Sequence, residues 1–391
     1  MLIGIVGKPS CGKSTFFKSL TLADVEIASY PFTTIKPNRG ISFVRVECVE
    51  KEFNVKCNPR EGYCVDGIRF VPVELLDVAG LVPGAYEGKG MGNMFLSDLS
   101  QADVLVHVID ISGSINEKGE AVNPLSYNPE NDVLFLENEL DMWFFQIIKK
   151  GWDKFLRQVR MERQEPYRSV AKQLSGLGVD ENIAEEVIKS FSKTPETDEE
   201  LLRLASMIRR RTKPIIIAAN KIDVPGSEEN FERLKERFKE YIIIPCSAES
   251  ELSLREASKK GLIKYIPGNN KFEIIGELNE KQKNALKFFE DNILKKYGST
   301  GVQDVLDKAV FELLKYIAIF PGGLSKLEDS QGRTLPDCFL LPQDTTALDF
   351  AFKIHTDIGN KFVKAIDVKK RMPVGKEHKL KNRDVIEIKT S

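Results

Sequence analysis

Eight residues near the start of the chain carry its most specific chemistry. Gly7-Lys8-Pro9-Ser10-Cys11-Gly12-Lys13-Ser14 has the spacing G-x-x-x-x-G-K-S. Glycines at such positions let the backbone close round a phosphate without Cβ clashes, and the loop N–H groups point inward. Leu2 to Val6 ahead of the loop reads as a short buried strand. Thr15 to Leu22 behind it reads as a helix, whose N-terminus adds partial positive charge. Phosphate contacts are therefore expected from Gly7 through Thr15. Lys13 can reach β- and γ-phosphates, and the Ser14 hydroxyl can ligate Mg²⁺.

Four further stretches supply what a nucleotide would need. Asp77 ends an apolar run and precedes Gly80. Its carboxylate can hold Mg²⁺ through water, and the Gly80 N–H can meet a γ-phosphate. Thr33 and Thr34 lie in a Pro-flanked polar loop, where a hydroxyl can complete the Mg²⁺ shell. Asn220-Lys221-Ile222-Asp223 follows another apolar run. The Asp223 carboxylate suits the N1–H and N2–H₂ donors of guanine, a pair that adenine lacks. The Lys221 stem can cover the base. Ser247 and Ala248 can offer a backbone N–H to the guanine oxygen. Taken singly, Asp77 could be a strand-end cap, and Asn220 and Asp223 a turn. Together they describe a GTP/GDP site with Lys13, Gly80 and one of Thr33 and Thr34 as its catalytic groups, since open α/β sheets bind ligands at the carboxyl ends of their strands.

The elements that must position these groups follow from periodicity. Ile41–Val46, Ile68–Leu76, Val104–Ile109, Pro214–Ala219 and Ile242–Ile244 read as strands, and helical segments alternate with them to about Ile266. That pattern implies a doubly wound α/β domain over 1–267. Val133, Leu136, Leu140, Phe144 and Ile147 recur at helical spacing, extended by Trp152, Phe155 and Val159. They open a helical insertion of about 128–212. Two helices, Glu280–Lys296 and Val302–Tyr316, form a connector over 268–325. The remainder, 326–391, reads as a small α+β unit with strands at Phe339–Leu341, Lys361–Ile366 and Asp384–Ile388 and a helix at Ala347–Ile354.

These motifs resemble those of the Obg group of translation-factor-class GTPases, and most closely its YchF-like branch. Tyr30-Pro31-Phe32-Thr33-Thr34 with Pro37-Asn38 matches that group's first switch. Asp77-Val78-Ala79-Gly80-Leu81-Val82-Pro83-Gly84-Ala85, with Glu87-Gly88, Gly90 and Gly92-Asn93, matches its second. Thr300-Gly301-Val302-Gln303 and the C-terminal unit resemble the YchF branch and its β-grasp-like TGS domain. The resemblance implies a P-loop G domain with a helical insertion, Mg²⁺ as cofactor, and Thr34 rather than Thr33 as the Mg²⁺-sensing threonine. YchF-like proteins of bacteria and eukaryotes alter the base-reading motif and favour ATP. Here Asn220-Lys221-Ile222-Asp223 is intact, so guanine is expected.

Ras-like enzymes carry a water-orienting glutamine just after D-x-x-G. Leu81 stands there in this chain, so intrinsic hydrolysis is expected to be slow. Some members of the resembled group use K⁺ beside a phosphate-loop asparagine, and the matching residue here is Ser10. TGS domains recur in proteins that work with RNA and ribosomes. The alternative is a YchF-like ATPase or NTPase of stress or redox regulation with no obligate RNA partner.

The bulk properties of the 391 residues set outer bounds. The apolar fraction is 42%, the charged fraction 29% and the net charge −1, so no global charge draws the chain to nucleic acid. The charge is local instead: residues 330–391 hold twelve Lys+Arg against eight Asp+Glu, and 369–383 hold seven against Glu377 alone. Such a patch suits phosphate backbones. No apolar run spans a bilayer and no signal peptide is visible, so a cytoplasmic monomer is expected. Of the six cysteines, Cys48, Cys57 and Cys64 fall close together, separated by eight and six residues. This is not a C-x₂-C spacing and no His lies near, so packing rather than a metal is expected. Cys11 beside Lys13 could have a lowered thiol pKa. Plain packing is the simpler reading.

Overall fold

The computed structural model describes residues 1–22, 38–78, 98–162, 165–191 and 194–391. Thr33, Thr34, Gly80 and Leu81 lie outside the described residues, and of the two expected switch motifs only Asn38, Asp77 and Val78 are described; the side chains of Phe155 and Val159 are outside them too. The chain divides into two compact units. One comprises 1–19, 37–40 and 74–305, the other 20–36, 41–73 and 306–391.

The first unit is built on a parallel sheet. Leu2–Val6 lies between Ile68–Asp77 and Val104–Asp110, followed by Ile215–Asn220 and Ile242–Cys246. Leu2–Val6, Val104–Asp110 and Ile215–Asn220 are buried throughout. Apolar runs without alternation fit this placement, because both faces of such a sheet are covered by helices. The register pairs Ile5 with Asp77, Asp110 with Asn220 and Asn220 with Cys246. It therefore collects the polar residues that end each strand along one edge of the sheet.

The helical insertion comprises Glu130–Glu162, Pro166–Leu174, Glu181–Lys189 and Asp198–Thr212. The expected stripe faces the core: Val133, Leu136, Leu140, Phe144 and Trp152 are buried. Ile148 is buried where Ile147 was expected, and Ile147 packs at the margin. Trp152 Nε1 donates to the Pro195 carbonyl at 2.8 Å. Buried Arg209 donates to Asp141 at 2.7 Å, which ties the last helix of the insertion to the first.

In the second unit, a five-stranded sheet runs Phe339–Pro342, Tyr316–Pro321, Val385–Thr390, Phe362–Asp367, Met372–Val374. Its core joins Ile317, Ile319, Leu341, Ala365 and Ile386 to Ala347 and Phe350 of the Ala347–Ile354 helix. This one-helix, one-sheet packing is the expected α+β unit. Its extent differs from the sequence reading, because Tyr316–Pro321 is a strand inside the sheet rather than part of the 268–325 connector, whose second helix was expected to end at Tyr316. The helix before it stops early: Val302–Lys308 passes into a π-helical turn, Ala309–Leu313. The run Ile317 to Phe320 is buried on both sides, and a continuous apolar run of that length does not announce helix or strand by period. The expected connector also contains a short strand, Phe272–Ile274.

The Cys48–Asp66 insert belongs to this second unit. Tyr63–Val65 pairs antiparallel with Ile68–Phe70. Asp66 and Gly67 both have positive φ, +53° and +82°. Two such central residues form the type I′ turn whose twist suits a hairpin. Within the same unit, Asn58 and Arg60 N–H groups donate to the Thr334 and Pro336 carbonyls at 2.8 and 2.9 Å. Buried Arg69 donates to the Leu335 and Pro336 carbonyls at 3.0 and 2.6 Å. The domain that follows Leu306 is thus hydrogen-bonded to residues near position 60, which the expected 1–267 and 326–391 division separates.

Arg69→Met removes both side-chain donors while keeping most of the buried stem. Each buried carbonyl left unpaired costs about 1–3 kcal/mol. A clear fall in the urea midpoint and faster amide exchange across 334–337 are expected. An unchanged midpoint would show that those carbonyls find other donors.

Candidate functional site

The phosphate loop leaves the end of the Leu2–Val6 strand and enters the Lys13–Thr21 helix. The Phe16 N–H bonds the Gly12 carbonyl at 2.9 Å, so the helical pattern begins inside the loop. The N–H groups ahead of it have no helical partner, which suits an anion. Gly12 has φ +93°, and a Cβ there would lie 2.2 Å from Asn220 Nδ2. Only glycine admits Asn220 so close to the loop.

Asn220 joins three of the expected pieces. Its Nδ2 donates to the Cys11 carbonyl at 3.0 Å, and its Oδ1 accepts the Ala248 N–H at 3.0 Å. Asn220 itself is buried. Phosphate loop, N-K-x-D and Ser247-Ala248 are therefore locked into one frame by a single side chain. Among the described residues no donor is recorded for the Asp223 carboxylate. It is half-buried at the strand end and remains an acceptor for a ligand's N–H groups.

Lys13 Nζ pairs with Asp77, which brings these two expected site residues together. A phosphate entering the loop would compete with Asp77 for that ammonium. The Ser14 side chain is exposed at the first turn, and Thr15 is half-buried beside it. Asp77 is fixed by its backbone, whose N–H donates to the Asn38 carbonyl at 2.7 Å.

Other loop residues do something different from the expectation. The Lys8 side chain is buried away from the loop's surface. Its ammonium bonds the Ile115 carbonyl at 2.8 Å, pairs with Asp132 at 2.9 Å and lies 3.9 Å from the Tyr127 ring centre. Lys8 can therefore serve a phosphate only through its backbone. Ser10 has φ +64°, and its hydroxyl donates to the Gly119 carbonyl at 3.0 Å. The Cys11 thiol is fully buried, and burial pushes its pKa up to about 11. The packing reading holds and the activated-thiol reading does not: desolvation outweighs the nearby Lys13 and Lys8 charges.

The base-reading end shows residues that the sequence did not announce. Lys221, at φ +66°, points its ammonium at Asp110, 3.0 Å away. Asp110 is fully buried and also accepts from Ser112 and Ser114 hydroxyls at 2.5 and 2.8 Å. The Lys221 stem is thereby held in place along the strand ends. The only sequence signal for Asp110 is a carboxylate closing a continuous apolar run. The Ser247 hydroxyl caps the Ala248–Lys259 helix through the Ser250 N–H. The Ser247 N–H donates to the Thr300 carbonyl at 2.9 Å. Both backbone donors expected at the guanine oxygen are thus engaged within the protein, Ser247 with Thr300 and Ala248 with Asn220.

Thr300 belongs to a buried network behind this loop. Glu251 accepts from Thr300 at 2.6 Å, Tyr265 at 2.7 Å and Arg255 at 2.5 Å, and Arg255 reaches Gln303 at 3.2 Å. Every member is satisfied, the condition under which a buried polar network rigidifies its surroundings. Gly301 has φ +78°, and a Cβ there would fall 1.9 Å from the Pro245 carbonyl. The Thr300-Gly301 pair therefore packs directly under the strand that leads to Ser247.

The comparisons with known proteins agree with this geometry. Family models match as a 50S ribosome-binding GTPase at 2–139, a G4-motif-containing domain of Obg-like YGR210-like GTPases at 218–322 and a TGS domain at 331–390. An uncharacterised GTP-binding protein of Methanocaldococcus jannaschii is 49% identical over 99% of this chain and 98% of its own length. This chain belongs to the Obg-like, YchF-related family of P-loop GTPases. A second uncharacterised GTP-binding protein, from Schizosaccharomyces pombe, is 36% identical over 89% of the chain and 88% of its own length. A ribosome-binding ATPase YchF of Buchnera aphidicola is 28% identical over 93% and 86%. A crystal structure of a GTP-binding protein from Pyrococcus horikoshii covers 100% of both chains at TM-score 0.79 and 35% identity. The Schizosaccharomyces pombe YchF GTPase shares the fold over 100% of this chain and 97% of its own, at TM-score 0.62 and 19% identity.

Two outcomes follow for this GTP-binding family member. Asn220→Ala cuts the tie between phosphate loop and base-reading loop. Affinity for GDP should fall at least about tenfold, the scale of one lost buried polar contact set. Fluorescent-GDP titration measures it, and undiminished affinity would show the frame is held elsewhere. In native protein at pH 8, Cys11 should resist a thiol reagent that labels it promptly after unfolding, as expected of a buried thiol with a raised pKa.

Proposed function

We propose that the chain is a guanine-nucleotide switch with slow, Mg²⁺-dependent GTP hydrolysis that works on the ribosome or another structured RNA. The observation that carries the nucleotide half is the Asn220 bridge with its neighbouring acceptor, Asp223. A carboxylate held at that point accepts two guanine donors and would face adenine with nothing to accept. The intact N-K-x-D therefore favours GTP here, although relatives bear the name ribosome-binding ATPase.

The donor set fits Mg²⁺: the Ser14 hydroxyl is exposed beside Lys13, and Asp77 is drawn to the same place by its ion pair. Ser14 and Thr34 would hold the ion directly and Asp77 through water. When bound, Mg²⁺ neutralises charge that develops between β- and γ-phosphates. Lys13 and the loop N–H groups orient the phosphates, and the Gly80 N–H would meet the γ-phosphate. Leu81 offers no hydrogen bond to an attacking water, so the rate depends on positioning alone and rises when a partner orders the switches.

The RNA half rests on the charged C-terminal domain and on the names of relatives. Ion pairs within the chain already engage most of the basic stretch. Lys369 pairs with Glu52 at 2.6 Å, Lys370 with Asp367 at 2.5 Å and Lys379 with Asp344 at 2.8 Å. Arg383 pairs with Glu47 at 2.6 Å and also with Glu52. Among the described residues Arg371 and Lys381 have no carboxylate partner and are exposed, and they are the phosphate contacts we assign.

A competition titration should show GTP displacing bound fluorescent GDP at least about a hundredfold better than ATP, as expected for a site built to hydrogen-bond its ligand. Asp223→Ala should erase that preference while leaving ATP affinity unchanged. Equal affinity of the native chain for both nucleotides would overturn the guanine assignment. Ribosome co-sedimentation with a non-hydrolysable GTP analogue should weaken with salt. Each lost phosphate contact lowers the log–log slope by about 0.7–0.9, so Arg371→Glu with Lys381→Glu should flatten it by nearly two. No co-sedimentation in either nucleotide state would refute the RNA half alone.

A further inference from the structure

Cys48, Glu50, Cys57 and Cys64 lie apart in sequence, but the hairpin insert brings their ligand atoms within 4.8 Å of one another. Cys48 Sγ is 3.7 Å from Cys57 Sγ, and Cys64 Sγ is 3.6 Å from Glu50 Oε1. With Zn–S of about 2.3 Å and Zn–O of about 2.0 Å, the edges of a tetrahedral site are about 3.8 Å for S···S and about 3.5 Å for S···O. The observed separations match both edges. Cys48 and Cys57 are buried, and Cys64 and Glu50 are half-buried, so the group is enclosed with one side near solvent. The other Glu50 oxygen accepts the Cys57 N–H at 2.9 Å, which fixes the orientation of the carboxylate. The Cys48 N–H bonds the Gly67 carbonyl at 2.8 Å, and the Val55 N–H bonds the Glu50 carbonyl at 3.0 Å, so the backbone at two of the four residues is held as well.

We propose that these four residues form a structural zinc site of three thiolates and one carboxylate. Three soft sulfur donors and one hard oxygen in a closed tetrahedron suit Zn²⁺ rather than Mg²⁺ or Ca²⁺. Each thiol that binds gives its proton to solvent.

The position says what the ion would brace. Cys57 directly precedes Asn58 and Arg60, whose N–H groups bond Thr334 and Pro336. The Arg60 side chain bonds Asp337 at 2.6 Å. A polar loop with little apolar surface of its own would be cross-linked at its start, middle and end. Its contacts to the C-terminal domain within the same unit would then be held in register.

The test uses the full chain, reduced, loaded with ZnCl₂ and dialysed. Elemental analysis should find about one zinc per chain. Co²⁺ in its place should give thiolate-to-cobalt charge-transfer bands and the intense d–d bands of a tetrahedral site. Cys57→Ser with Cys64→Ser should hold no zinc, while fluorescent-GDP binding, which does not use these residues, confirms that the nucleotide unit is folded. Glu50→Gln keeps all three thiols and should retain the charge-transfer bands while weakening Zn²⁺ binding at least about tenfold, the scale of far subtler changes around metal ligands. Chelation should speed amide exchange across 55–62. Native protein that holds no zinc above the dialysis buffer and shows no cobalt–thiolate band would overturn the site. So would a double variant that holds as much zinc as the native chain.

Discussion

The proposed nucleotide site depends on one amide side chain. Asn220 spends its donor on the Cys11 carbonyl and its acceptor on the Ala248 N–H, so phosphate-binding and base-reading elements cannot drift apart independently. The sheet makes this possible. Parallel register sets Asn220 between Asp110 and Cys246, and each neighbouring strand delivers a polar residue to the same edge. Gly12 is the counterpart of this arrangement, since any side chain there would occupy the space of the amide.

Charge is arranged around that edge as pairs rather than as a field. Lys13 answers Asp77, Lys221 answers Asp110 and Lys8 answers Asp132. Two of these pairs hold fixed structure, because their carboxylates are buried and have several donors. Asp77 is more exposed and its partner lies in the phosphate loop, so that pair is the one a ligand can exchange. The same logic lowers the apparent strength of the C-terminal basic stretch, where most cations already meet a carboxylate.

Much of this was legible in the sequence. Glycine spacing with flanking strand and helix located the phosphate loop. The helical insertion was readable because Val133, Leu136, Leu140 and Phe144 keep one period over several turns. What escaped had no period and no local signature. Tyr316–Pro321 is a short run buried on both faces, which helix and strand share. Lys8 looked like part of a phosphate cradle because motifs do not say which way a side chain turns. Glu251 and Thr300 meet across 49 positions, and the cysteines, spread over 48–64, meet through the turns of the insert rather than through any spacing. Long-range polar contacts of this kind leave no trace in a single sequence.

The Thr300-Gly301 segment has a consequence for how the chain can be divided. The nucleotide loops look complete by Ala248, and the alternation of strands and helices ends near position 266. Yet Ser247 is held from behind by a carbonyl from position 300, and Glu251 is satisfied by the hydroxyl of the same residue. A fragment ending near 267 would keep every nucleotide motif and lose the wall behind its base-reading loop. Recombination between relatives would therefore keep this loop supported only when the break falls beyond this segment, which makes the stretch after the apparent domain end part of the inheritance of the proposed site.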